Sequence, residues 1–195
     1  MSDTPKILAF AGSARRDSIN KKLLKAAVAG AEKAGAEVRV IDLHDYSLPI
    51  YDGDLETEKG VPENARKIKA QMKASDGFLI ASPEYNSSIS ALLKNTIDWA
   101  SRQEEGESNL ECFVGKVAGL VATSPGQLGG LRGLVHLRSI LMNLQTLVIP
   151  NQAAVPSGHK AIAGDGTVSD DKLRERVEKV GAVLAETACR MKSTR

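Results

Sequence analysis

Strand-like and helix-like segments alternate along almost the whole chain, and this alternation restricts the possible folds more than any other feature. An apolar run over 6–11 is followed by Ile19, Leu23, Ala27, Ala31 and Ala34 at helical spacing, with Gly35 placed to end the helix. Glu37 to Ile41 is a short β-branched strand, and Pro62 sits where a first helical turn tolerates proline, ahead of Ala65, Ile68 and Met72. Gly77 to Ala81 reads as a third strand, apolar throughout as expected when both faces are covered. Ser90 is placed to cap a helix bearing Leu93, Ile97 and Ala100. Lys116 to Ala122 then gives a fourth strand, Leu134, Leu137, Leu141 and Leu144 mark a helix, and Leu147 to Ile149 form a short fifth strand. Asp170 caps a last amphipathic helix carrying Leu173, Val177, Val180, Leu184 and Ala188.

Such a β-α-β-α series predicts a parallel sheet with helices on both faces, a three-layer α/β/α arrangement. Right-handed crossovers leave few topologies, and five strands fit the doubly wound order 2-1-3-4-5. No repeat, low-complexity tract or linker divides the sequence, so residues 1–195 are expected to form one domain. In this architecture ligands bind beyond the carboxyl ends of the strands. Three loops should therefore converge: 12–20, 82–90 and 123–130.

The first loop, Gly12-Ser13-Ala14-Arg15-Arg16-Asp17-Ser18-Ile19-Asn20, joins a strand to a helix start and is built as an anion seat. Unpaired N–H groups and partial positive charge gather at a helix N-terminus, Ser13, Ser18 and Asn20 add short polar groups, and an arginine can fork onto phosphate. Arg15 is the telling residue, because a cation is unfavourable at that end of a helix unless an anion is present. The loop matches neither G-x-x-x-x-G-K-[ST] nor G-x-G-x-x-G, which sets aside the usual nucleoside triphosphate and dinucleotide fingerprints. In the second loop, Pro83 restricts the backbone, Tyr85 offers a flat face and Asn86 brings donor and acceptor groups. The third loop, Thr123-Ser124-Pro125-Gly126-Gln127-Leu128-Gly129-Gly130, allows close approach of its backbone to a planar ligand. Together they suit a mononucleotide with a large flat ring.

G-S-A-R-R-D-S-I-N at 12–20 and S-P-E-Y-N at 82–86, supported by S-P-G-x-x-G-G at 124–130, resemble the NAD(P)H-dependent FMN reductases of the flavodoxin-like superfamily. Within that family the likeness is to bacterial quinone and chromate reductases, and it extends over nearly the whole chain. The resemblance implies bound FMN, with Ser13, Arg15, Ser18 and Asn20 at its phosphate. It places Pro83, Glu84, Tyr85 and Asn86 along the ribityl chain and ring, with Ser124 and Gly126 beside the ring. It further implies a ping-pong cycle in which NADPH or NADH reduces the flavin and a quinone, chromate or an azo dye reoxidises it, with no side-chain acid or base required. Competing readings are a flavodoxin-type electron carrier, a flavin or azo reductase of the same superfamily, and a nucleotide-binding regulator without a redox role. Electron carriers of that kind resemble acidic proteins, whereas this chain has a pI near 8.5.

The remaining features take bland readings. A formal charge of +2 with basic and acidic residues intermixed gives no basic stripe for nucleic acid. No apolar run approaches the roughly 20 residues of a membrane span, and the polar start and two cysteines point to a cytoplasmic protein. Neither Cys112 nor Cys189 has metal-ligand spacing, and Cys112 reads as a structural thiol. His44, His136 and His159 lie outside the three loops, with His136 expected on a helix surface or at a subunit contact. Leu131, Val135 and Ile140 widen the apolar surface of the fourth main helix beyond one face, which with the resemblance points to a homodimer or homotetramer. Residues 42–60 are long for a connection, and Leu48, Pro49, Ile50 and Tyr51 either line the substrate side or pack on themselves.

Overall fold

A computed structural model describes residues 4–193. The elements are β1 (Lys6–Ala11), α1 (Ile19–Lys33), β2 (Glu37–Asp42), α2 (Gly53–Lys59), α3 (Glu63–Lys73), β3 (Gly77–Ala81), β4 (Glu84–Tyr85), β5 (Ser88–Ile89), α4 (Ala91–Ala100), β6 (Val117–Thr123), α5 (Leu131–Asn143), β7 (Leu147–Val155), α6 (Gly158–Ala161) and α7 (Asp171–Ser193). The main sheet has the order β2-β1-β3-β6-β7 with every neighbouring pair parallel. Setting aside the β4–β5 hairpin, this is the doubly wound order that the alternation predicts.

Strand periodicity explains how the sheet serves two cores. Successive side chains of β1 point to opposite faces: Ile7, Ala9 and Ala11 join the layer under α1 and α7, while Leu8 and Phe10 join the layer under α3, α4 and α5. Buried on both faces, β1, β3 and β6 read as continuous apolar runs. Edge strand β2 pairs only with β1 and is largely exposed. On the first face α1 and α7 approach so closely that a Cβ at Gly30 would collide with the carbonyl oxygen of Glu178, and one at Gly181 with that of Ala27.

Two features depart from the sequence reading. The fifth strand does not stop at Ile149 but runs to Val155, through Pro150 and a register shift opposite Ala118–Leu120. This strand is the other sheet edge, where a proline forfeits no inward ladder bond. The 42–60 connection is not an open loop. Asp52 caps α2 by accepting from the N–H groups of Asp54 and Leu55 at 2.8 and 3.3 Å. Helix α4 then holds Pro49, whose carbonyl accepts from Asn95 Nδ2 at 2.9 Å and Trp99 Nε1 at 2.8 Å. Tyr51 packs edge-on against Trp99, and Ile50, between Pro49 and Tyr51 in sequence, is left 86% exposed.

The segment between α4 and β6 is held by charge. Lys69 on α3 is buried, and its ammonium donates to the Arg102 carbonyl at 2.8 Å, Glu104 at 3.0 Å and Glu107 at 2.6 Å, with Lys73 reaching Glu107 at 2.8 Å. Lys116 sits at the C-terminal end of α3 and donates to the carbonyls of Lys73 and Ser75, where a cation complements the helix dipole.

Candidate functional site

The three loops do converge at the carboxyl ends of β1, β3 and β6, where Ser13, Arg15, Ser18, Tyr85, Thr123 and Pro125 border a pocket of about 100 Å³. Hydrogen bonds couple the loops pairwise. Ser90 Oγ accepts from the Leu93 N–H at 3.2 Å, capping α4, and donates to the Gly12 carbonyl at 2.6 Å, tying the second loop to the first. Asn20 ties the first to the third: its Nδ2 donates to the Thr123 carbonyl at 2.9 Å and its Oδ1 accepts from the Thr123 N–H at 3.0 Å. A further segment after β7 supports the third loop, with the N–H groups of Ser157 and Gly158 donating to the carbonyls of Gly126 and Ser124 at 3.1 and 2.9 Å.

Each predicted site residue has a distinct placement. Ser13 and Ser18 are buried at the start of α1. The Ser13 hydroxyl accepts from the Arg15 N–H at 3.3 Å, and Ser18 accepts from the Lys21 N–H at 3.4 Å as the helix cap. Arg15 is exposed, and its guanidinium makes no hydrogen bond or ion pair among the described residues. The first turn of α1 contains no acidic residue. Asp17 just before it is an ion-pair partner of Lys22. The end of α1 that faces the pocket carries Arg15 and Arg16 with only Asp17 set against them, a net positive charge that fits a phosphate. Asn20 is also buried at this end, with both ends of its amide given to Thr123.

Pro83 is buried behind a two-residue hairpin turn formed by Asn86 and Ser87, both at positive φ (50° and 67°). Tyr85 borders the pocket and is half-exposed; Asn86 and Gly126 are exposed and Ser124 is partly buried, and these three lie outside the residues that border it. Glu84 borders the pocket, but its carboxylate turns to α5. Burial pushes that carboxyl up; the Gly133 N–H and the Arg132 guanidinium outweigh it and hold the carboxyl below its ordinary range. His136 lies exposed on α5, a helix surface as expected, and its Nδ1 shares a hydrogen bond with Ser88 Oγ of the second loop at 3.0 Å. The links made by Ser90, Thr123 and Ser157–Gly158 were absent from the sequence reading. Only the polar residue at the start of α4 offered a signal, and it signalled a cap.

A larger groove of about 480 Å³ lies elsewhere, between α1 and the uncovered face of β2. No three of His, Cys, Asp and Glu are arranged to hold a metal ion among the described residues. No helix among them is long and apolar enough to cross a membrane.

A doubly wound five-stranded parallel sheet with helices on both faces, and three loops meeting beyond the carboxyl ends of β1, β3 and β6, defines a flavodoxin-like α/β protein. The family model for NADPH-dependent FMN reductases matches residues 5–160, and the chain belongs to that family of oxidoreductases. It is 34% identical over 180 residues to an NAD(P)H-dependent FMN reductase of Pseudomonas aeruginosa, covering 92% of each chain. It is also 34% identical over 153 residues to a quinone reductase of Escherichia coli, covering 76% of each. Among solved structures, FerB of Paracoccus denitrificans, a flavoenzyme NAD(P)H:(acceptor) oxidoreductase, superposes with a TM-score of 0.81 at 30% identity, covering 96% of this chain and 99% of that one.

Proposed function

We propose that the chain holds FMN where the three loops meet and uses it to pass electrons from NADPH or NADH to quinones. The observation that carries this reading is the net positive end of α1, with no acidic residue in its first turn, opening into a pocket flanked by Tyr85 and by the third loop. Ser13, Ser18, Arg15 and the first N–H groups of α1 hold the phosphate. Asn20 acts by fixing Thr123 and the loop after it, and Tyr85, Asn86, Ser124 and Gly126 flank the ring. When bound, the flavin supplies two-electron transfer between a nicotinamide donor and a quinone. The chain's own residues seat the cofactor, leave one approach open beside the half-exposed Tyr85, and need move no proton. The names of the relatives support the choice of donor and acceptor: an NAD(P)H-dependent FMN reductase, and in Burkholderia a 2-hydroxy-1,4-benzoquinone reductase, 34% identical over 175 residues.

The absorption spectrum of the purified protein, followed during anaerobic addition of NADH and then NADPH and during turnover with benzoquinone, tests the reading. A yellow protein bleached by either donor and reoxidised by quinone is expected. A protein that neither carries nor takes up FMN would refute it, and full FMN loading without NAD(P)H oxidation would point to an electron carrier instead.

The same reading includes a homo-oligomer, dimer or tetramer, in the cytoplasm. Leu131, Val135 and Met142 on α5 are 41, 57 and 59% exposed, an apolar face for a second copy to cover. Light scattering on the eluting protein measures its mass directly.

A further inference from the structure

The acidic residue of the second loop does a different task from its neighbours. Helix α5 is preceded at its cap position by Gly130, which adopts a left-handed conformation (φ 89°) and has no side chain to cap the helix. A capping residue is excluded there and just before. A Cβ at Gly130 would come 2.7 Å from the Cβ of Ala122, and one at Gly129 would come 2.5 Å from the carbonyl carbon of Val155. The Leu131 N–H donates to the Leu128 carbonyl at 3.0 Å, but the Gly133 N–H, which an N-cap side chain would take, needs an acceptor from elsewhere in the chain.

Glu84 supplies it from 49 residues away. Its Oε2 accepts from the Gly133 N–H at 3.1 Å, on the third residue of the helix, where an N-cap side chain would ordinarily bond. Its Oε1 accepts from Arg132 Nε at 2.9 Å and Nη2 at 2.6 Å. The Glu84 side chain is only 8% exposed. Two further contacts hold the same hairpin to the same helix. His136 bonds Ser88, and Gly133 lies so close that a Cβ there would come 3.2 Å from the Ser88 carbonyl oxygen. Glu84 and Tyr85 are the two residues of β4, so the tie that holds Glu84 to α5 also fixes the main chain that carries Tyr85.

We propose that Glu84 is a positioning residue: by capping α5 across the chain it fixes the β4–β5 hairpin, and with it Tyr85 and Asn86, at the flavin ring. This deepens the functional reading above and rests on it. It also replaces the expectation of Glu84 as a ring contact with a role exerted through the hairpin. Glu84 has no part in the phosphate seat, which is built on α1, so its loss separates ring geometry from cofactor retention.

The experiment compares wild type with Glu84→Ala, Glu84→Gln and Arg132→Ala. It reads FMN affinity, the visible circular dichroism of bound flavin, and kcat and KM with benzoquinone. Glu84→Ala is expected to alter the flavin dichroism and lower kcat/KM by about tenfold or more, as small misplacements at a reacting group do, while FMN affinity holds. Glu84→Gln keeps an oxygen for the Gly133 N–H and should recover most of the loss, with Arg132→Ala lying between. Wild-type dichroism and kinetic constants in Glu84→Ala overturn the proposal. So does a parallel loss of FMN and turnover that Gln does not rescue. Should Glu84→Ala fail to fold, Gly133→Ala displaces the hairpin without removing the carboxylate, and unchanged dichroism and turnover in that variant overturn the proposal equally. If wild type itself takes up no FMN, it is the functional reading that fails.

Discussion

Asn20 grips the main chain of Thr123 with both ends of its amide, at 2.9 Å to the carbonyl and 3.0 Å to the N–H, across 103 residues of sequence. The bond pair joins the start of α1 to the end of β6 where both are buried, so the loops after β1 and β6 are set relative to each other by one side chain.

Asn20→Ala leaves two buried main-chain groups without partners, at about 1–3 kcal/mol each. Urea denaturation should show a loss of about 2–6 kcal/mol for the two together, and FMN titration a weaker complex. Unchanged stability would mean that water or another side chain replaces the amide.

Arg15→Ala separates binding from folding. The guanidinium is exposed and makes no ion pair among the described residues, so denaturation midpoints should not move. If the side chain pairs with the FMN phosphate, affinity should fall by about 1.5–3 kcal/mol. Equal affinity in the variant rules out that pairing.

Acid should loosen the segment between α4 and β6. Burial pushes the Glu107 carboxyl up, but the ammonium groups of Lys69 and Lys73 outweigh it and hold it down at about 2. A carboxyl held lower in the folded than in the unfolded chain stabilises fully above its unfolded value of about 4.5 and loses that contribution as pH falls toward 2. Thermal midpoints measured across this window should decline less steeply in Glu107→Gln than in wild type. The variant should be the less stable of the two at neutral pH, because it leaves buried Lys69 with one carboxylate fewer.

Gly181→Ala tests the packing of the first and last long helices. The added methyl would strike the Ala27 carbonyl oxygen, which a main chain cannot swing aside. Overpacking of this kind costs about 1–3 kcal/mol, read as a lower urea midpoint.

Most of the sheet was legible because strands buried on both faces announce themselves as apolar runs, and the caps Ser18, Ser90 and Asp170 stand where short polar residues begin helices. Pro150 concealed the second half of β7, since the pattern alone does not reveal that a strand lies at an edge. The β4–β5 hairpin was hidden because its turn is Asn86-Ser87, without the glycine that usually marks positive φ. At the site, the character of each loop could be read but not its bracing. An asparagine at a helix start looks the same whether it meets a phosphate or the main chain of Thr123. The direction of Glu84 depends on a helix that begins 47 residues later. Such pairings are set by the assembled sheet, and local pattern does not carry them.

The close crossing of α1 and α7 couples distant parts of the sequence. Each helix has a carbonyl oxygen where a Cβ on the other's glycine would stand, so the helix that follows the first loop is held by one far along the sequence. Loosening α7 should therefore disturb the proposed phosphate seat, although α7 contributes none of the residues that border that pocket.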